Sequence, residues 1–249
     1  MSRDWDAATY DQVSAPQVEW ALKVLERLPL RGDETVLDAG CGSGRVTQLL
    51  LERLPRGHVV AVDSAPSMVK HAREALDPDR ATVFQANLTD LELDEPVDAA
   101  FSNAVFHWVP DHDALFTRLH AALRPGGRLV AQCGGEGNVA RFHDAAKAVA
   151  AEQPYADYLG GWQGPWNFAG AEETAERLER AGFVEIETWL EPYPITPPDP
   201  SGYLRTVCLG PHLEQLPEEL RASYVEAVRE RCGTELDYVR LNIKAKTAC

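Results

Sequence analysis

Between Thr35 and Cys133 the chain alternates short apolar runs of β character with segments whose apolar residues recur at helical spacing. Thr35–Ala39 ends in a glycine-rich turn, and Val46, Leu49, Leu50 and Leu54 then mark one face of a helix over Ser43–Leu54. HVVAVD, His58–Asp63, reads as a second strand, and Pro66 opens a helix that runs to Leu76. Ala81–Gln85 and Val97–Asn103 are the third and fourth strands. Asp111–Leu123 is helical, Pro125-Gly126-Gly127 stops it, and Arg128–Cys133 is the fifth strand. Strands separated by helices require crossover connections, so the expected sheet is largely parallel and covered on both faces. The expected fold class is therefore α/β and doubly wound.

After Cys133 the pattern changes. Gly134-Gly135-Glu136-Gly137 breaks the regular alternation, and Val139–Glu152 reads as an alanine-rich helix. Gln153–Gly170 sets Tyr155, Tyr158, Trp162, Trp166 and Phe168 among glycines and prolines, as a loop would. Glu172–Ala181 is helical, Gly182 caps it and Phe183–Leu190 alternates as a strand. The five prolines of Pro192–Pro200 exclude regular structure there. An amphipathic helix over Pro217–Arg231 and a last strand over Tyr238–Lys246 complete a seven-stranded expectation. One domain of 249 residues accounts for all of it. Residues 1–34 form an N-terminal cap and helix (Pro16–Leu28), 35–133 the core, and 134–170 with 192–235 the segments expected to cover a substrate.

The chemistry is concentrated at the end of the first strand, in Val36-Leu37-Asp38-Ala39-Gly40-Cys41-Gly42-Ser43-Gly44. Open α/β sheets bind ligands beyond the carboxyl ends of their strands, and glycines in that turn let backbone approach a ligand closely. Asp38, two residues before the first glycine, can pair with an ammonium group. A dinucleotide pyrophosphate would meet that carboxylate unfavourably, and Arg45 occupies the position where the dehydrogenase fingerprint needs a small residue. Asp63 follows 19 residues after Gly44, where its carboxylate can accept from both hydroxyls of a ribose or else cap the next helix.

These residues together resemble class I S-adenosylmethionine-dependent methyltransferases. Gln85-Ala86-Asn87-Leu88, the run from Ser102 to Val109 and Leu123–Leu129 agree with that pattern, and FSNAVFHWVPDH (Phe101–His112) is similar to trans-aconitate methyltransferases and their small-molecule relatives. The resemblance implies a Rossmann-like fold and S-adenosyl-L-methionine as cofactor. It assigns Asp38, Gly40, Cys41, Gly42, Gly44 and Asn103 to the methionine part, with Cys41 filling space within the turn. By the same resemblance Asp63 binds the ribose, Ser64 and Met68 line the adenosine site, and Asn87 and Leu88 meet the adenine. Asn87 stands where the family usually has Asp.

His107 follows the fourth strand, as a general base, a hydrogen-bond donor to the acceptor or an ordering residue of the loop. Trp108 beside it, Tyr10 in the N-terminal stretch, and Trp162 and Trp166 in the aromatic loop are the other candidates for contact with the acceptor; Tyr10 is also a catalytic candidate. Arg141, His143 and Arg205 are available in the covering segments. The resemblance implies O-methylation of a small carboxylic acid. Methylation of an oxygen, nitrogen or carbon of a natural product, or a cofactor-binding domain without turnover, are the alternatives.

The balance of 24 basic against 39 acidic residues, a formal −15, disfavours nucleic-acid partners. Five cysteines without a Cys-x-x-Cys pair point to neither a metal site nor a disulfide framework. No membrane-spanning run or signal-peptide pattern is present, and a cytoplasmic location is expected.

Overall fold

A computed structural model describes residues 15–249, with side chains from Trp20 onward. Tyr10 and Trp5 lie outside the described residues. The element order is α1 (Ala15–Glu26), β1 (Thr35–Ala39), α2 (Arg45–Glu52), β2 (His58–Asp63), α3 (Pro66–Ala75), β3 (Ala81–Gln85), β4 (Val97–Asn103), α4 (His112–Ala122), β5 (Leu123–Gly134), α5 (Ala140–Ala150), α6 (Ala156–Leu159), α7 (Ala171–Arg180), β6 (Phe183–Pro192), α8 (Pro200–Tyr203), α9 (Gly210–Gln215), α10 (Glu218–Cys232) and β7 (Val239–Thr247). Short 3-10 turns at Leu88–Asp90 and Phe106–Trp108 follow β3 and β4, and a π turn, Leu204–Cys208, joins α8 to α9.

The seven strands form one sheet in the order β3-β2-β1-β4-β5-β7-β6, with β7 antiparallel to both its neighbours. The chain leaves β1 in opposite directions toward β2 and β4, so the crevice at the carboxyl ends of β1 and β4 is the topological switch point. Alternation along the central strands supplies two cores. Val36, Ala99, Phe101 and Val130 pack beneath α1, α2 and α3, while Leu37, Ala100, Leu129 and Ala131 pack beneath α4 and α7. A third apolar cluster lies among the covering segments, where α5, α8, α10 and the π turn gather around Trp20 and Tyr238.

Three stretches depart from the expectation, the shortest being α6, a single helical turn within the expected loop Gln153–Gly170. Leu123–Gly127 does not separate α4 from the fifth strand. β5 begins at Leu123, immediately after the helix, and a bulge opposite Val97 and Ala99 absorbs Arg124–Gly127, with Gly126 at φ +73°. The proline-rich Pro192–Pro200 is not wholly irregular, because β6 runs to Pro192 and Ile195 bridges Leu236. β6 is an edge strand, where a missing N–H costs no ladder bond.

Candidate active site

The turn after β1 is built by close approach. The N–H groups of Gly40 and Cys41 donate to the Val62 carbonyl at 2.8 and 2.9 Å, which binds the turn to the end of β2. Gly40 has φ +90°, and a Cβ there would lie 2.2 Å from the Val105 side chain, so only glycine fits. Gly42, at φ +55°, faces open space instead. Ser102 at the end of β4 donates to the Ala39 carbonyl at 2.6 Å, which fixes the third edge of the crevice.

Asp38 is 2 % exposed, and Thr47 of α2 donates to its Oδ2 at 2.7 Å. Burial, with Asp63's charge adding to it, outweighs that bond and pushes the Asp38 carboxyl up to about 7. Asp63 accepts from the Gly42 N–H through Oδ2 and from the Ala65 N–H through Oδ1, each at 2.9 Å. Burial raises its pKa too, against the backbone hydrogen bonds from Ala65, Gly42 and Ser64. Two desolvated carboxyl groups thus stand at one strand edge, an arrangement that a cationic ligand would relieve. Asp63 thus organises the backbone of the glycine turn and of the entry to α3, and it still lines the cavity where a ribose would lie.

One cavity of about 490 Å³ runs from this turn to the covering segments. Asp38, Gly40, Cys41, Gly42, Asp63, Ser64, Met68, Asn87, Leu88 and Asn103 line it, as do His107, Trp108 and Trp166. The volume lies within the usual range for small-molecule sites. Gly44 does not line the cavity. At φ +90° it lets α2 approach α3, where a Cβ would meet Ala72 and Leu76. Trp162 likewise stands back from the wall, packed edge-on against Trp166 and His212 at 5.9 and 4.7 Å.

His107 is buried, and its Nδ1 accepts the Gly134 N–H at 3.3 Å. A ring accepting at Nδ1 carries its proton on Nε2 when neutral. Burial, reinforced by the nearby Arg240 cation, holds its pKa well below the usual value, so the neutral form prevails. Phe168 stacks on His107 with centroids 5.8 Å apart and planes at 22°, and Trp166 stacks on Phe168 at 10°. The loop bearing these rings is tied to the turn after β4, since Asn167 donates its N–H to the His107 carbonyl at 2.9 Å.

Of the three basic candidates in the covering segments, His143 lines the cavity, with its pKa pushed down to about 4 by burial. Arg141 is exposed and paired with Glu235 at 2.7 Å, and Arg205 is exposed and off the cavity wall. The buried cation of the site is one that sequence reading missed. Arg240 of β7, 2 % exposed, lines the cavity, donates through Nε to Gln132 Oε1 at 3.4 Å and lies 4.4 Å over the Trp20 ring. Among the described residues there is no group of three or more His, Cys, Asp or Glu arranged to hold a metal ion, and no helix long and apolar enough to cross a membrane.

Residues 36–127 match the family model described as a methyltransferase domain. The trans-aconitate 2-methyltransferase of Variovorax paradoxus is 32% identical, over 92% of this chain and 88% of that protein. The enzyme of the same name from Azoarcus sp. is 33% identical over 90% and 87%, and that from Shigella flexneri 35% over 76% and 72%. Among solved structures, the methyltransferase bound to the Trm112 activator of Haloferax volcanii superposes with a TM-score of 0.61 at 18% identity, covering 100% of both chains. Phosphoethanolamine N-methyltransferase 2 of Haemonchus contortus, in complex with S-adenosyl-L-methionine, superposes with a TM-score of 0.63 at 19% identity over 97% of this chain and 56% of that one. These two likenesses establish the fold.

Proposed function

This chain belongs to the class I S-adenosylmethionine-dependent methyltransferases, and from that premise we propose that it methylates a carboxylate oxygen of a small organic acid in the cytoplasm. The observation that carries the proposal is the identity to trans-aconitate 2-methyltransferases over nearly the whole chain. S-Adenosylmethionine is the methyl donor. When bound, it supplies an electrophilic methyl on a sulfonium whose thioether is the leaving group.

The residues at the strand edge fit that donor. Asp38 and Asp63 are desolvated carboxyl groups that lack the charge an ammonium would bring. Asp38 would hold the ammonium beside the Gly40–Gly42 backbone, Asp63 the ribose hydroxyls, and Asn87 with the Leu88 N–H the adenine. An amide oxygen at Asn87 accepts from an amino group as a carboxylate does, though without its charge.

At the other end of the cavity the acceptor meets His107. A neutral imidazole with its proton on Nε2 is a donor, suited to orienting an acceptor oxygen and not to removing a proton from it. A carboxylate is ionised at neutral pH and needs no base, so this ring chemistry favours it over a phenol, amine or carbon acid. Residues 134–170 and 192–235 would close over the acceptor and exclude water, with Trp108 and Trp166 against it and Trp162 bracing the wall. Positioning and exclusion of water then supply much of the acceleration.

The test is transfer of labelled methyl to a panel of carboxylic acids, phenols and amines. Alkali-labile label, released as methanol, is expected from acids. Alkali-stable label on phenols or amines alone would refute the carboxylate reading.

A further inference from the structure

The relatives reported above at 32–35% identity carry the name of a tricarboxylate, yet the wall of this cavity has the wrong charge for three carboxylates. Among its described lining residues, Arg45 and Arg240 are the permanent cations. Arg45 is exposed at the first position of α2, beside the glycine turn and the adenosine end. That leaves Arg240 as the cation for an acceptor. His143 and His107 line the same end, and both are held neutral by burial. Residues 1–14 carry one basic side chain, Arg3, against Asp4, Asp6 and Asp11. A trianion here would press two carboxylates without cations against aromatic carbon, which is strongly disfavoured. The net −15 of the chain opposes a polyanion further.

One carboxylate, by contrast, finds a prepared place. Trp20 lines the cavity and is 1 % exposed, and its Nε1–H has no hydrogen-bond acceptor among the described residues. The Arg240 guanidinium lies against that same indole. An indole N–H donates only, so a buried one without a partner on a residue that lines the cavity calls for an acceptor from the ligand. The same cavity is lined by a group of aromatic rings. Trp166 and Phe168 stack at 10°, Trp108 lies 6.0 Å from Trp166, and Phe142 and Val207 complete the surface. Gly164 fixes the Trp166 ring, because a Cβ there would fall 2.2 Å from it.

We infer that the acceptor is a monocarboxylic acid with a flat apolar body, its carboxylate held by Arg240 and Trp20 and its body against Trp108, Trp166 and Phe168. The inference rests on the carboxylate reading above and narrows it: this protein has the methyl-transfer chemistry of its relatives with a different acceptor shape.

Two measurements test it. In the first, trans-cinnamate, indole-3-acetate and trans-aconitate compete for labelled methyl. We expect kcat/KM for one of the aromatic acids to exceed that for trans-aconitate by about tenfold or more, the scale of one well-made charged contact. Equal or better turnover of trans-aconitate overturns the inference and leaves the carboxylate reading standing. Alkali-stable transfer to phenols or amines, with none to any acid, removes both. In the second, the same acids are titrated calorimetrically into the protein saturated with S-adenosylhomocysteine. Trp20→Phe removes the N–H together with the five-membered ring and should weaken the preferred acid by about tenfold or more, with the affinity for S-adenosylhomocysteine unchanged. Arg240→Gln should weaken it more, and Arg240→Lys should restore part of the loss. Unchanged acid binding in Trp20→Phe, or no binding of any aromatic acid, overturns the assignment even if the Arg240 variants fail to fold.

Discussion

If Asp38 holds the cofactor's ammonium as proposed, its raised pKa makes cofactor binding a proton-release reaction, which solution measurements can follow. In the free protein burial holds this carboxyl near pH 7, with Thr47 alone among the described side chains donating to it. An ammonium placed beside Asp38 favours its ionised form, so the pKa falls on binding. The sign follows directly: below about pH 7 the free protein holds a proton that the complex releases, and affinity rises with pH. With a free-state value near 7, the competent fraction at pH 5.5 is about 3%, so S-adenosylhomocysteine should bind roughly 30-fold more weakly than on the plateau above pH 8. Calorimetry at pH 6 in two buffers of different ionisation enthalpy should record release of about 0.9 proton. Asp38→Asn should flatten the profile and cost about 10- to 150-fold at pH 8, the range for a lost charge-assisted hydrogen bond. Thr47→Val removes the one side-chain donor and should move the midpoint upward. An affinity constant from pH 5.5 to 8.5, or a midpoint that persists in Asp38→Asn, would refute the reasoning.

Asp63→Ala should weaken S-adenosylhomocysteine by about 10- to 150-fold in a folded protein, and unchanged affinity would remove Asp63 from the ribose site. Gly40→Ala drives a Cβ to 2.2 Å from Val105 and should lower unfolding free energy by about 1–3 kcal/mol in urea titrations; a neutral result would mean that the turn and Val105 separate freely. His143 titrates at about 4 in the fold and near 6.5 unfolded, so its contribution is complete above pH 6.5 and declines as pH falls toward 4. Relative to His143→Gln, the protein should lose about 2 kcal/mol between pH 6.5 and 4.5, and parallel stability curves would count against a buried neutral ring. With a −15 balance, labelled tRNA or duplex DNA should not be retained at physiological salt; salt-sensitive retention would reveal a basic face that the sequence hides.

The half of the molecule that holds the cofactor was legible because its signals are local. β2, β3 and β4 begin and end where their apolar runs do, since each run is short, rich in β-branched or small residues, and bounded by turn-forming residues. α4 is framed by Asp111, whose side chain accepts from the Ala114 N–H at 2.9 Å. Leu123–Gly127 misled because Pro-Gly-Gly is a chain-breaking signal in any local window. Only the partner strand reveals that the break is a bulge within β5. Gly44 shows a different ambiguity. A glycine in a ligand turn can serve either a ligand or the packing of two helices, and its neighbours Ala72 and Leu76 lie about thirty residues on.

Arg240 could not be read from its own segment, and the reason explains how the acceptor end is built. In YVRLNIKAK the polar residues Arg240, Asn242, Lys244 and Lys246 alternate with Leu241, Ile243 and Ala245, the pattern of a strand with one face in water. That pattern holds for Lys244 and Lys246, which pair with the exposed Glu187 and Glu185. It fails at the other end because β7 runs antiparallel to β5. The first residues of β7 therefore sit beside the last of β5, Arg240 opposite Gly134, at the ligand edge where α1 and the covering segments converge. Strand direction, invisible in a single segment, turns a nominally wet arginine into a buried one facing a cavity. The same holds for Trp20, whose indole meets that arginine more than two hundred residues away in sequence. The cofactor end is written in consecutive residues because one strand-turn-helix unit makes most of it, and it can remain fixed while the acceptor end changes. The acceptor end is assembled from the first helix, the loop after β4, the aromatic loop and the last strand, so each piece can be exchanged separately. On the proposed reading, that separation lets the donor end stay as it is while the acceptor end takes a different acid.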